Sequence, residues 1–334
     1  MRSEQDDGED TAVAGAFEDL AAPYRRELLA HCYRMLGSAH DAEDLVQETM
    51  IRAWRGYDSF DGRSSLRTWL YRIATNACLT ALNSSSRRVL PSGLGAAVGD
   101  STSADLAVVD SVPWLTPMPT YQVVERSDDP AAIVAVRDST RLALIAAFQH
   151  LPARQRAVLL LIDVVGLRPA EAAQFLDLTY TATRSLLQRS RATLATDIPD
   201  HDAVPADPHL DQQVLQRYLD AFQAADTAAI ASLVRDDIEY EMPPIRTWFR
   251  GRAALLDHLT LRVFTRLTRS IATSANGSPA MATYSRATDG TFVPHAIHVL
   301  ETRGELISRI VVFRDTDLFG AFGLPATLDG AATA

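Results

Sequence analysis

The chain has 334 residues, too many for one ordinary domain, and 47% of them are hydrophobic, enough to fill more than one core. Its formal net charge is −10 with all 32 basic residues arginine, which excludes a uniformly basic nucleic-acid coat. Only Cys32 and Cys78 occur, without C-x-x-C spacing, so neither a disulfide scaffold nor a cysteine metal site is expected. The acidic, polar start is unlike a secretory signal, and no apolar run approaches the roughly 20 residues of a membrane helix; a cytoplasmic multidomain protein is expected.

Residues 1–14 are acidic, small and aperiodic, and are expected to be disordered. A helical domain is expected over 15–88. Its first helix, 16–36, stops at Gly37, and Ser38 with Asp41 forms an N-cap pair. The next helix runs to about Arg55 with Leu45, Thr49 and Ala53 along one side. After a loop at 56–63, Ser64 opens a long helix in which Leu66, Leu70, Ile73, Ala77 and Leu82 recur at helical spacing. Both cysteines fall among apolar helical positions and read as core. Charge is zoned: residues 60–88 hold five arginines against Asp61, a net of +4.

Over 89–130 the periodicity vanishes, six acids face one arginine, and the run PWLTPMP at 113–119 cannot be helical, so an inter-domain linker is expected. A second helical block follows over 131–196, with Pro152 just inside a helix start, Gly166 at a helix end and Pro169 at the next start. Residues 144–195 carry six arginines against three acids. A short linker, 197–208, precedes a segment of different character, 209–325, with a tail at 326–334. Two helices (210–225, 227–234) lead into the alternation Ile238, Tyr240, Met242; a helix near 253–264 and further strands, including 292–301 and 305–313, complete an α+β domain with a mostly antiparallel sheet.

Residues 169–194 form two short helices around Asp177-Leu178-Thr179, the pattern of a helix-turn-helix. Ala172, Phe175, Leu176, Leu186 and Leu187 read as inward. Tyr180, Thr181, Thr183, Arg184, Gln188 and Arg191 read as outward, and these side chains suit base edges and phosphates. Taken alone, the segment also fits a helical hairpin with a solvated face, or a repressor.

Two further motifs separate these readings. Residues 41–55 (DAEDLVQETMIRAWR) and 65–76 (SLRTWLYRIATN) resemble regions 2.2 to 2.4 of sigma factors, and 151–158 (LPARQRAV) resembles the opening of region 4. The order and spacing hold over about 17–194. With PWLTPMP in the linker and AFGLPA near the end, the chain resembles the actinobacterial group IV, or extracytoplasmic-function, sigma factors that bear a SnoaL-like C-terminal domain.

The resemblance implies two all-α sigma domains, a region 2 bundle and a region 4 helix-turn-helix, followed by an α+β SnoaL-like cone. It implies core RNA polymerase and promoter DNA as partners, with no cofactor, metal or catalytic residue. Asp41, Asp44, Leu45, Gln47, Glu48, Ile51, Arg52 and Trp54 correspond to the helix that binds the polymerase clamp helices. The loop 57–63 and the helix after it correspond to the −10 reader. There Arg63, Arg67, Arg72, Arg87 and Arg88 suit phosphates, and Asn76 and Asn83 suit bases. Trp69, beside Leu70 and Ile73, reads as core rather than a stacking platform. Tyr180, Thr181, Thr183, Arg184, Gln188 and Arg191 become the −35 reader. In the family the linker threads the polymerase's RNA path, where Asp100, Asp105, Asp110, Glu125, Asp128 and Asp129 would mimic RNA; a soluble tether fits the residues equally. Two departures stand out: Asp177 occupies a place where glycine often ends the first helix of the motif, and Thr80 and Ala81 stand where charged residues are common.

In the C-terminal domain the candidate pocket groups are Tyr218, His258, His295, His298 and Asp315, with Tyr240, Met242 and Trp248 as apolar lining. His295 and His298 differ in strand parity, so on a regular strand only one lines the pocket. No acid–base pair is assignable, and a regulatory role is favoured over an enzymatic one. The alternative is a SnoaL-type enzyme or ligand sensor fused to a DNA-binding regulator. A separate anti-sigma protein and a small apolar ligand in the pocket are left open.

Overall fold

The computed structural model describes residues 17–84, 87–102, 104–123, 139–197 and 208–329. The chain divides into two compact units, residues 1–87 with 143–199, and residues 88–142 with 200–334. The segment expected to be disordered (1–14), all but the ends of the expected linker 197–208, the end of the first linker with Glu125, Asp128 and Asp129 (124–130), the start of the second helical block (131–138) and the end of the tail (330–334) lie outside the described residues.

The first unit is helical. Residues 17–21 are helical, and a 3-10 turn at Ala22–Tyr24 then separates them from α1 (Arg25–Leu36), where a single helix was expected. Pro23, in that turn, has no N–H to carry the helical ladder. Gly37 ends α1 with φ 71°, and the Ser38 hydroxyl accepts from the Asp41 N–H at 3.2 Å to start α2 (Ala39–Gly56). In α2 the buried stripe is Ala42, Val46, Thr49 and Ala53. Leu45 lies half-buried at its edge. α3 (Leu66–Ser84) contributes Leu70, Ala74, Ala77 and Cys78 to the core shared with Leu28, Cys32, Tyr33 and Met35 of α1. Both cysteines are free and buried. His31 bonds Thr75 inside this core at 2.9 Å, and burial, reinforced by Arg34, pushes its pKa down to about 3.

The same unit contains α4 (Leu142–His150), α5 (Ala153–Leu159), a π-helical turn (Leu160–Val164), α6 (Pro169–Phe175) and α7 (Tyr180–Asp197). Arg156 of α5 is buried and ties this block to α1. Its guanidinium donates to the Met35 carbonyl, to Gln149 Oε1 at 2.6 Å and to the Leu151 carbonyl at 3.1 Å, while Gln149 donates to the Arg34 carbonyl.

In the second unit, α8 (Pro208–Gln223) and α9 (Thr227–Leu233) precede a six-stranded sheet. Its strands are β1 (Val234–Glu241), β2 (Trp248–Arg250), β3 (Thr268–Ala275), β4 (Ser278–Arg286), β5 (Phe292–Arg303) and β6 (Leu306–Phe313), in the order β2-β1-β6-β5-β4-β3. Only β1 and β6 pair in parallel; the other pairs are antiparallel. α10 (Arg252–His258) lies between β2 and β3. One core gathers Tyr218 and Phe222 of α8, Ile230 of α9, Leu255 of α10, and Tyr240, Met281, Leu300 and Ile310 of the sheet.

The described part of the expected linker, 89–102 and 104–123, is built into this unit. Leu90, Leu115, Met118 and Val123 are buried. Val89 bridges to Trp114, Val98 to Phe249 beside β1, Val108 to Ile245 and Pro119 to Ala275. Met118 and Asn276 exchange two hydrogen bonds of 2.9 and 3.0 Å. Glu241, wholly buried, holds the Arg309 guanidinium and accepts from the Ser92 N–H at 2.8 Å, while Arg309 also donates to the Ser92 hydroxyl at 3.1 Å. The Trp248 indole N–H donates to the Gly95 carbonyl at 2.9 Å. Apart from the Val89–Trp114 bridge, the segment's partners on the sheet lie more than a hundred positions away in sequence, so no local period betrays them.

Candidate nucleic-acid interface

In the helix-turn-helix, Asp177 takes the left-handed conformation (φ 52°) that the missing glycine would have supplied, and the Thr179 hydroxyl caps α7 by accepting from the Ala182 N–H at 3.1 Å. The inward stripe of α7 is Thr183, Leu187 and Ser190. Thr183 was expected to face solvent; it is fully buried, and its hydroxyl donates to the Thr179 carbonyl. The helical phase explains this, because 183, 187 and 190 follow the i, i+4, i+7 rule, and Leu186 sits at the border. Tyr180, Thr181, Arg184 and Gln188 are exposed, with the Arg184 guanidinium 5.9 Å from the Tyr180 ring centre. Arg191 is exposed too, but its guanidinium is held by Asp163 at 2.6 and 3.0 Å.

The five arginines of 60–88 separate into different situations. Arg72, Asn76 and Asn83 lie exposed along α3, with Thr80 between them, its hydroxyl donating to the Asn76 carbonyl. Arg63 is exposed in the preceding loop beside Asp61, whose carboxyl it holds below the usual range. Arg67, expected on phosphate, instead forms a fork with Glu27 at 2.9 and 3.0 Å and covers the Tyr71 ring. Arg88, also expected on phosphate, donates to the Trp114 carbonyl in the second unit. In the free chain, a nearby acceptor of the chain already engages each of the two guanidinium groups. Arg87 is exposed. Trp69 is half-buried, in an aromatic group with Phe60 at 5.0 Å and Tyr57 beyond it.

On α2, Asp44, Gln47, Ile51, Arg52 and Trp54 are exposed, while Asp41, Leu45 and Glu48 are half-buried. Ile51 and Trp54, 42% and 43% exposed, are large apolar groups on one side of a helix otherwise lined by charge, including a Glu48–Arg52 ion pair.

In the second unit a cavity of about 220 Å³ is lined by Tyr240, Met242, His258, His295 and His298 among others. His295 and His298 both line it, against the parity expectation. Between Thr283–Ala296 and Tyr284–Pro294 the register of β4 and β5 shifts, so His295 is the extra residue of a bulge, and the bulge turns it onto the face of His298. Tyr218 is in the core behind the cavity, Asp315 is exposed outside it, and Trp248 points to the 88–98 segment rather than inward. Sequence reading missed three lining arginines, Arg262, Arg266 and Arg314, which no motif marks, and Arg156, whose flanking run of buried apolar residues (157–161) was the available signal.

Residues 20–88 match the Sigma-70 region 2 family, 141–194 the Sigma-70 region 4 family, and 215–310 the SnoaL-like domain. The ECF RNA polymerase sigma factor SigG of Mycobacterium tuberculosis is 48% identical over 320 residues, covering 94% of this chain and 85% of that protein. The ECF RNA polymerase sigma factor SigJ of the same species is 28% identical over 218 residues, 65% of this chain and 61% of that protein. The crystal structure of SigJ superposes with a TM-score of 0.60 at 20% identity, over 91% of this chain and 98% of that one, a likeness of fold. The chain belongs to the extracytoplasmic-function sigma factors of RNA polymerase, and its partners are core RNA polymerase and promoter DNA. No described helix is long and apolar enough to cross a membrane.

Proposed function

We propose that this sigma factor is controlled by its C-terminal domain, which acts in the cytoplasm by holding the segment between regions 2 and 4 rather than by catalysis. The observation that carries this is the seating of 88–123 on the sheet, above all Ser92 on the buried Glu241–Arg309 pair. A segment that must follow the polymerase's RNA path cannot occupy that seat at the same time, so the domain biases whichever arrangement it binds better. An enzymatic role is disfavoured because the described cavity lining contains no carboxylate to pair with its histidines.

Within this reading, Arg72, Asn76 and Asn83 address the −10 element and Tyr180, Thr181, Arg184 and Gln188 the −35 element. Ile51 and Trp54 anchor the polymerase contact. The test is run-off transcription with core polymerase, comparing the full chain, a chain ending at 207, and Glu241→Gln in the full chain. Control by the domain predicts that transcript yield changes several-fold for both variants while promoter preference is retained. Equal yields from all three would refute it.

A further inference from the structure

The cavity of the C-terminal unit carries an unusual set of cations. Arg262, Arg266 and Arg314 all line it, and among the described residues no carboxylate pairs with any of them. Elsewhere in the same unit Arg235, Arg250, Arg252 and Arg309 are each ion-paired. The lining contains no Asp or Glu. Uncompensated guanidinium groups around a concave apolar site focus a positive potential into it.

Inside, two imidazoles lack partners. His258 and His298 are 2% and 3% exposed, both line the cavity, and the Nδ1 of each is buried without a hydrogen bond. The Ser285 hydroxyl, also in the lining, is in the same state. Native interiors rarely leave buried polar atoms unsatisfied, and several converging on one cavity mark a place where a ligand supplies the missing partners. The positive surroundings are felt by the histidines: burial first, then Arg262 and Arg314, push the pKa of His258 down to about 4. The remaining wall carries an apolar face, with Phe222, Met242, Ile245 and Val312, beside the hydroxyl residues Tyr240, Thr268 and Thr283. Its volume, about 220 Å³, exceeds the roughly 150 Å³ that accommodates a benzene ring.

We propose that this cavity is a binding site for a small amphipathic organic acid, with one or two rings against the apolar wall, an acid group facing Arg262, Arg266 and Arg314, and an oxygen bonded by His258 or His298. The joining segment forms part of the site, since Leu106 lines it and Arg262 donates to the Thr102 carbonyl at 3.4 Å. The bound acid therefore favours the seated segment; this consequence, unlike the binding itself, rests on the control proposed above.

The full chain is titrated calorimetrically with 2-naphthoic acid and with its neutral isostere 2-naphthamide. The acid binds one per chain and at least tenfold more tightly than the amide, and the preference weakens with added salt. Arg262→Gln with Arg314→Gln, exposed positions whose exchange leaves the core intact, lowers acid affinity at least tenfold and leaves the amide unchanged. Equal binding of acid and amide, no binding of the acid at millimolar concentration, or an acid affinity indifferent to the double substitution overturns the proposal. Run-off transcription with and without the acid separates the two readings: binding without any change in transcript leaves the site standing and removes the regulatory role.

Discussion

Arg156→Met tests what keeps the two helical blocks of the first unit together. The substitution removes the donors that serve the Met35 and Leu151 carbonyls and the Oε1 of Gln149. A buried acceptor left unpaired costs about 1–3 kcal/mol, so three cost on the order of 6 kcal/mol. Methionine no longer has to bury a charge, however. Burial, with Arg87 nearby, pulls the Arg156 pKa down to about 10, which corresponds to a penalty of about 3 kcal/mol that the variant escapes. The net loss is about 3 kcal/mol, or roughly a hundredfold in the opening equilibrium. It falls on the contact between α1 and the α4–α5 corner, because the Met35 bond and the Gln149-to-Arg34 bond are the ones that cross it. Hydrogen exchange followed by mass spectrometry reads this directly. Peptides covering 33–37 and 149–158 exchange ten- to a hundredfold faster in the variant, while those of 208–329 keep wild-type rates. Arg156→Lys falls between, since one ammonium cannot reproduce the fork. Unchanged exchange at both segments would refute the assignment of Arg156 as the tie.

Three further outcomes follow from the same structure. Arg184→Ala and Gln188→Ala each weaken −35 discrimination by about 1–3 kcal/mol in competition binding, whereas Thr183→Val leaves promoter choice alone because its hydroxyl is spent on Thr179. Ile51→Ser with Trp54→Ser lowers affinity for core polymerase at least tenfold while the melting temperature of the free protein holds, both side chains being exposed in the free chain. In the second unit, burial holds the pKa of His258 near 4 and of His298 near 3, against about 6.5 in the unfolded chain. The unfolded state therefore takes up protons first as pH drops. Stability is full above pH 6.5 and falls by up to about 2.7 kcal/mol per pH unit for the two groups together as pH moves from 6.5 toward 4. Urea unfolding at pH 7.5 and 5.5 checks this, and His298→Leu should roughly halve the slope.

Much of the helical architecture is legible because its determinants are local. Gly37 and Ser38 fix the α1–α2 corner through one backbone dihedral and one hydroxyl, and Asp177 turns the helix-turn-helix by a conformation that its short polar side chain permits. The surface of α7 is less legible. Choosing Leu186 and Leu187 as the inward pair rotates the predicted face slightly, and that error is enough to put Thr183 on the wrong side. The arginines of 60–88 show a second limit: composition says that they are cationic, but only tertiary partners such as Glu27 and the Trp114 carbonyl say which are already engaged. His295 shows a third. Parity is a sound rule for a regular strand, and one extra residue between Pro294 and Ala296 cancels it.

The 88–123 segment is the least legible part of the chain: it reads as a tether and belongs to the second compact unit. It looks like a linker because, beyond the internal Val89–Trp114 bridge, its stabilising contacts are single, irregularly spaced and long-range: Ser92 to Glu241, Val98 to Trp248, Thr120 to Gly277. One bridge is not an extended ladder, so an element held that way depends on the sheet for its shape. Under the proposed control, its seating is set by the domain it rests on and by an occupant of the cavity that Leu106 helps to wall. A ligand that binds only the seated form, present at a hundred times its dissociation constant, stabilises that form by about 2.7 kcal/mol. That is close to a hundredfold shift in a two-state equilibrium, and under the proposed control polymerase binding to the unseated form weakens the ligand in return. Control of this kind requires no contact between ligand and DNA-reading residues; it requires only that the segment joining them cannot be in two places.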